Sequence, residues 1–217
     1  MTNAARSEQG LAPLRWDEAL AQAARAHAEL LLQNRQLSHQ FAGEPGLALR
    51  AAQAGAHFQT VAENVAEGPD IDTLQRGWMK SPPHRANILD PQLNSVGFGV
   101  AQAGGVLYAV ADFSRAVPGL TYDQVEAAVA RLLAAQGIQS DGPAADARET
   151  CEMSHGTAGG SSPRFVMRWQ SADLSRLPGA LEEQLRTKSY RSAAVGACSS
   201  ANAESGFTTY RVAVLLY

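Results

Sequence analysis

Between Trp16 and Leu31 the residues Trp16, Leu20, Ala23, Ala24, His27, Leu30 and Leu31 recur at helical spacing, with Arg25, Glu29 and Gln33 on the opposite side. This predicts one amphipathic helix with a buried face. A shorter helix over Asn3 to Glu8 precedes it and is broken by Gly10-Leu11-Ala12-Pro13-Leu14. After Leu37 the pattern turns polar: Ser38-His39-Gln40, with Gly43, Pro45 and Gly46 beyond, predicts a loop that presents His39. Leu47 to Ala54 reads as a short helix stopped by Gly55, and Thr60 to Ala66 as a strand ended by Gly68-Pro69. Asp70 or Asp72 then caps a helix carrying Ile71, Leu74, Trp78 and Met79 on one side. Ser81 as N-cap with Pro82 at the first helical position opens another short helix, ended by Asp90-Pro91, with His84 in its first turn. There the positive end of the helix dipole favours a neutral imidazole. Val96 to Ala101 and Val106 to Phe113 alternate as strands joined through Gly104-Gly105. Helices followed by a closing hairpin predict layered α/β/α packing.

A second unit begins at Pro118. Tyr122, Val125, Val129, Leu132 and Leu133 form a helical stripe, and Ser140 to Gly160 reads as a polar, glycine-rich connection. Phe165, Met167 and Trp169 alternate as a strand, Leu177 to Leu185 reads as a helix, and Ser192 to Cys198 and Phe207 to Tyr217 read as closing strands. The expected division is therefore 1–117 and 118–217, an α+β protein with an α-β-α first domain and a smaller α+β second one.

Composition narrows the class. With 45% hydrophobic and 18% charged residues among 217, the chain can build ordinary cores. Its formal charge of −3 is spread evenly along the sequence, so neither half carries the basic patch a nucleic-acid surface needs. No apolar stretch approaches the roughly 20 residues that span a bilayer. Cys151 and Cys198 are open to three readings: a disulfide, two free thiols, or one functional thiol with a bystander. Neither has a Cys or His pair at zinc-finger spacing, and the Cys151/His155 separation lies in a glycine- and serine-rich stretch. A disulfide is the expectation; it would add about 4 kcal/mol in the chain-entropy model and implies an oxidising compartment. Met1-Thr2-Asn3-Ala4-Ala5-Arg6 has no charged-then-apolar leader, so export requires a signal peptide removed from this sequence.

The sequence contains no Gly-x-Ser-x-Gly elbow, no His-Glu-x-x-His and no phosphate-cradling glycine loop. A site must be assembled from distant segments, and His39, Glu63 and His84 are suitable material for a metal site, an acid/base pair or a polar cleft. His27 lies on the apolar face and reads first as a core histidine bonded to backbone. Asn64 and Asn87 read first as amides that tie backbone together, and Ser81 as a helix cap.

A set of pieces in fixed order changes the weight of these residues: Asn3-x-x-Arg6, Gly10-Leu11-x-Pro13-Leu14-x-Trp16-Asp17, His27-Ala28, Ser38-His39, Glu63-Asn64-Val65-Ala66-x-Gly68, Trp78-Met79-x-Ser81-Pro82-x-His84-Arg85-x-Asn87-Ile88-Leu89, Val96-Gly97-x-Gly99 and Asp112-Phe113. Together they resemble the bacterial, SCP-like branch of the CAP superfamily, which includes cysteine-rich secretory proteins, venom antigens and plant pathogenesis-related proteins. The resemblance covers residues 1–114. It implies an α-β-α sandwich with a large central cleft, usually outside the cell, where two histidines and two acidic residues meet and where some members hold a divalent metal such as zinc. His39, Glu63 and His84 match three of those positions. Ser81 stands where animal and plant members have the second glutamate, so a metal would need water or a neighbour such as Glu67 to complete its shell.

The expected function is an extracellular or periplasmic module whose cleft, formed by His39, Glu63, His84, Ser81 and Asn64, binds a small molecule, a lipid or a cell-envelope component. One alternative is a secreted hydrolase, metal-assisted or not, using His39, Glu63 and His84. The other is a structural or adhesive surface protein with a vestigial cleft.

Overall fold

The computed structural model describes residues 1–160, 162–200 and 203–217. The chain divides into two compact units, Met1–Pro118 with Glu204–Phe207, and Gly119–Ala203 with Thr208–Tyr217.

In the first unit, the elements run α1 (Thr2–Glu8), β1 (Arg15–Trp16), α2 (Glu18–Asn34), α3 (Leu47–Gln53), β2 (Phe58–Gly68), α4 (Ile71–Lys80), α5 (Pro82–Ile88), β3 (Ser95–Ala103) and β4 (Val106–Ala116). The sheet order is β1-β3-β4-β2, with β1 parallel to β3 and the other pairings antiparallel. Side chains alternate across a strand, so register sorts them into two faces. Val96, Ala109, Ala111 and Phe113 pack with Leu74, Trp78 and Ile88 of α4 and α5. Val65, Tyr108 and Val110 turn to the other face, against Ala24, Ala28 and Leu31 of α2. Glu63 and Asp112 are cross-strand partners on that α2 face, whereas Asn64 points to the α4/α5 face.

Two local features explain why those motifs lie together. Asp17 caps α2 by accepting from the backbone N–H groups of Ala19 and Leu20. Gly97 and Gly99 of β3 lie directly beneath the helix: a Cβ at Gly97 would strike the backbone of Leu20 and Ala21, and one at Gly99 the backbone of Ala24 and Arg25. Arg6 is buried and donates to the carbonyls of Ala12, Ile88, Asp90 and Leu93 at 2.8 to 3.2 Å, joining α1 to the segment after α5. Trp16 departs from expectation. It lies on the short edge strand β1, not on the helix, and is 57% exposed, its indole N–H donating to Glu18.

The second unit contains α6 (Tyr122–Ala135), α7 (Ala144–Glu152), β5 (Phe165–Ser171), α8 (Gly179–Thr187), β6 (Ala193–Cys198) and β7 (Tyr210–Leu216). Its antiparallel sheet has the order β5-β7-β6. α6 and α8 cover one face through Val125, Val129, Leu133 and Leu181; α7 covers the other through Ala147 and Cys151. Helix α7 falls where the sequence reads as a polar connection. Its buried residues are Ala147, Thr150 and Cys151, small side chains at helical spacing that carry little hydropathy signal. A disulfide joins Cys151 of α7 to Cys198 of β6, with Cα atoms 5.8 Å apart.

The glycine contact predicts that Gly99→Val lowers the stability of the first unit by about 3 kcal/mol, because helix backbone cannot yield to a side chain. Urea unfolding followed through α2 amide resonances measures it; a loss below about 1 kcal/mol contradicts the close approach.

Candidate functional site

β2 is an edge strand, and the candidate residues gather around it. Glu63 is buried at 7% exposure, and each carboxylate oxygen has its own partner. His39 Nδ1 lies 2.7 Å from Oε1, and Arg50 Nη2 of α3 donates to Oε2. Arg50 Nη1 also donates to the His39 carbonyl at 3.2 Å, so one guanidinium holds both the acid and the backbone of the residue it faces.

The loop carrying His39 is pinned from below. Glu44 is the anchor: Oε2 accepts from the Phe41 N–H at 2.9 Å, and Oε1 lies 2.6 Å from His27 Nδ1. His27 is fully buried on α2, and its Nε2 lies 2.9 Å from the Ser38 carbonyl oxygen. A carbonyl can only accept, so Nε2 carries hydrogen. The Nδ1–Glu44 contact also needs one. Both ring nitrogens are thus engaged, one by a backbone carbonyl and one by a carboxylate. This is the backbone-bonded core histidine the sequence predicts, with an added carboxylate partner.

On the opposite face of β2, Asn64 is fully buried and its amide donates to the His84 carbonyl at 3.0 Å. Asn87 donates to Asn64 Oδ1 at 2.9 Å and to the Glu63 carbonyl at 3.2 Å. Both amides are committed to seating α5 on β2, so Asn64 positions His84 and has no free edge for a ligand. Ser81 occupies the N-cap position of α5 before Pro82, but its side chain makes no capping hydrogen bond.

The environments of the two imidazoles push them apart. The hydrogen bond to Glu63 raises the His39 pKa, whereas burial, and then the charge of His39, lowers that of His84. His84 is biased to the neutral form as expected from sequence, but burial and its neighbour are the causes. His39 is 64% exposed at its side chain. With Nδ1 fixed on Glu63, its Nε2 is left to meet solvent or a bound molecule, the orientation a proton acceptor or hydrogen-bond donor needs.

Asp112 lies across the ladder from Glu63 and is fully buried. No hydrogen bond reaches either of its oxygens, and the charge that bears on it across the ladder is the Glu63 carboxylate. Burial, followed by the Glu63 charge, pushes Asp112 well above the usual carboxylate range. Arg50, Glu44 and Asp112 are the members of the cluster that received no role from the sequence. A single charge on a short helix reads as a solvated surface residue; Asp112 falls within a matched motif but has no obvious chemistry there.

The same geometry tests the divalent-cation expectation. Both Glu63 oxygens are engaged, one of them by a cation. Glu67 is exposed and four strand residues beyond Glu63, about 13 Å along β2. Among the described residues no three His, Cys, Asp or Glu side chains are disposed to hold a metal ion. The arrangement does not fit one.

Comparisons with known proteins agree with the layered fold. The model of the cysteine-rich secretory protein family, CAP, matches residues 1–113. The uncharacterized protein YkwD of Bacillus subtilis (strain 168) is 34% identical over 109 residues, 49% of this chain and 42% of that protein. The chain spans less than half the length of this relative. The crystal structure of an extracellular SCP-domain protein from Bacillus anthracis str. Ames is 30% identical, covering 52% of this chain and 37% of that one with a TM-score of 0.49. An outer surface protein from Borrelia burgdorferi is 20% identical over 53% of this chain and 86% of that one, with a TM-score of 0.50, a likeness of fold.

The raised His39 pKa has a stability consequence. Stabilisation from the His39–Glu63 contact is fully present below the unfolded imidazole value of about 6.5 and is lost as pH rises through the higher folded value. His39→Gln is therefore expected to lower the urea midpoint more at about pH 5.5 than at about pH 8.5. An equal loss at both pH values contradicts the assignment.

Proposed function

Because the chain belongs to the cysteine-rich secretory protein (CAP) family through residues 1–113, we propose that its first unit is a binding module of an exported protein, taking a small ligand, lipid or cell-envelope component with an apolar body. Export is supported by the Cys151–Cys198 disulfide, which persists in an oxidising compartment. Among the described residues no helix is long and apolar enough to cross a membrane.

The observation that carries the reading is a cavity of about 300 Å³ on the α4 face of the sheet, lined by Ile71, Leu74, Trp78, Val96, Phe98 and Gln75 among others. Its walls are mainly apolar. Thr2, Asn3 and Gln75 are its polar lining residues: Gln75 Oε1 accepts from the Thr2 hydroxyl at 3.0 Å, while its buried Nε2 has no hydrogen-bond partner. An apolar hollow with one unmet donor suits a ligand carrying a single acceptor oxygen. This hollow lies apart from His39, Glu63 and His84, which are not among its lining residues. The cleft around the histidines is thus a second, polar recognition surface in this reading.

A hydrolase remains the second reading, favoured by one contact: His39 oriented by a buried carboxylate with its other ring nitrogen outward. Turnover of a peptide, ester or glycan panel that Glu63→Gln abolishes would support it, and no turnover by the parent protein would count against it.

For the binding reading, 1-decanol, an apolar chain with one oxygen, serves as the calorimetric probe. Gln75→Leu is expected to weaken it about tenfold, the value of one hydrogen bond to a buried amide. Val100→Trp, at a lining position 44% exposed, is expected to block it. A protein that co-purifies with nothing and ignores 1-decanol, lipids and wall fragments overturns the proposal.

A further inference from the structure

We propose that the buried guanidinium of Arg50 serves Glu63 as a built-in counter-cation in place of a divalent metal, so that the His39–Glu63–His84 site works without a metal and is closed to one. This inference is independent of which ligand the unit binds.

Three observations carry it. First, Arg50 is buried, at 8% exposure, and its two terminal nitrogens are spent at the site, Nη2 on Glu63 Oε2 and Nη1 on the His39 carbonyl. A guanidinium cannot shed its charge and presents a rigid planar fork, so it is a permanent cation on the acid that a metal would use. Second, Glu63 has no oxygen left over. Oε1 faces His39 Nδ1 at 2.7 Å and Oε2 accepts from Arg50, so Glu63 could ligate an ion only by giving up one of those contacts. Third, no other carboxylate is available to outbid the arginine. Ser81 offers a hydroxyl, Glu67 lies far along the strand, Glu44 is held by His27 and the Phe41 N–H, and Asp112 is fully buried within the sheet, where ionising it is costly. A dication taking Glu63 as a ligand would have to displace a fixed positive charge or break the His39–Glu63 contact, without gaining a second acid.

The consequence concerns charge rather than shape. The cation that orients Glu63 comes from α3 and is present whenever the unit is folded. His39 is therefore presented on a carboxylate whose orientation does not depend on metal supply.

Zinc uptake by the chelator-stripped 217-residue protein, read by competition with a chromophoric zinc indicator and by the His39 and His84 ring resonances, tests this. Wild type is expected to leave both rings unmoved at stoichiometric zinc. Arg50→Gln, which frees Glu63, is expected to gain zinc affinity 10- to 100-fold, about the range by which groups behind a metal ligand tune a site. Arg50→Lys, which keeps a cation, is expected to gain none. Because loss of a buried arginine can prevent folding, Ser81→Glu at a half-buried helix start supplies a second arm. It restores the missing acid without touching the ion pair, and is expected to remain a weak binder. Tight zinc binding by wild type that His39→Ala removes overturns the proposal. So does tight binding by Ser81→Glu alone, or a folded Arg50→Gln that gains nothing.

Discussion

The contact between Arg50 and Glu63 is the constraint on which the site depends. An acid on an edge strand ordinarily turns to water, yet Glu63 is buried, and burial of a carboxylate costs several kcal/mol unless a well-placed partner offsets it. α3 supplies that partner. Once it is in place the remaining groups follow: the same guanidinium fixes the His39 carbonyl, the second Glu63 oxygen orients the His39 ring, and Asp112 keeps its proton because another charge beside Glu63 would have no cation to meet. The His27–Glu44 contact beneath pins the loop that carries His39.

The two faces of the sheet divide the chemistry. Toward α2, where Gly97 and Gly99 let the helix backbone approach, the strands place polar groups at the end nearest α3 and apolar ones along the rest. Toward α4 and α5 the surface is mainly apolar apart from the Asn64–Asn87 pair, with an open hollow and one unmet amide at Gln75. The asparagines at 64 and 87 couple these faces, since they fasten α5 and the His84 backbone to the strand that carries Glu63.

Much of the first unit was legible in the sequence. Strong periodicity marked α2 and α4, glycine pairs marked the hairpin, and the ordered motifs pointed to His39, Glu63 and His84 before any of them had neighbours. Asn3 and Arg6, conspicuous as a motif, prove to be structural: they bond the backbone at Leu14 and beyond. The unread parts have physical reasons. Arg50 is a long-range partner whose identity says nothing about which strand it will meet. Trp16 belongs to a two-residue strand, too short for alternation to register. α7 buries small residues, and Ser81 occupies a cap position without making the bond that usually justifies a serine there. Local patterns encode elements; charge pairing between elements becomes visible only when they are packed.

Thermal or urea unfolding of Arg50→Met beside Arg50→Met/Glu63→Leu tests the central claim most directly. The account predicts that the single variant loses about 3 to 5 kcal/mol, because it strands a buried carboxylate, and that removing Glu63 as well restores the larger part of that loss. A single variant within about 1 kcal/mol of wild type, or a double variant no more stable than the single, would contradict it.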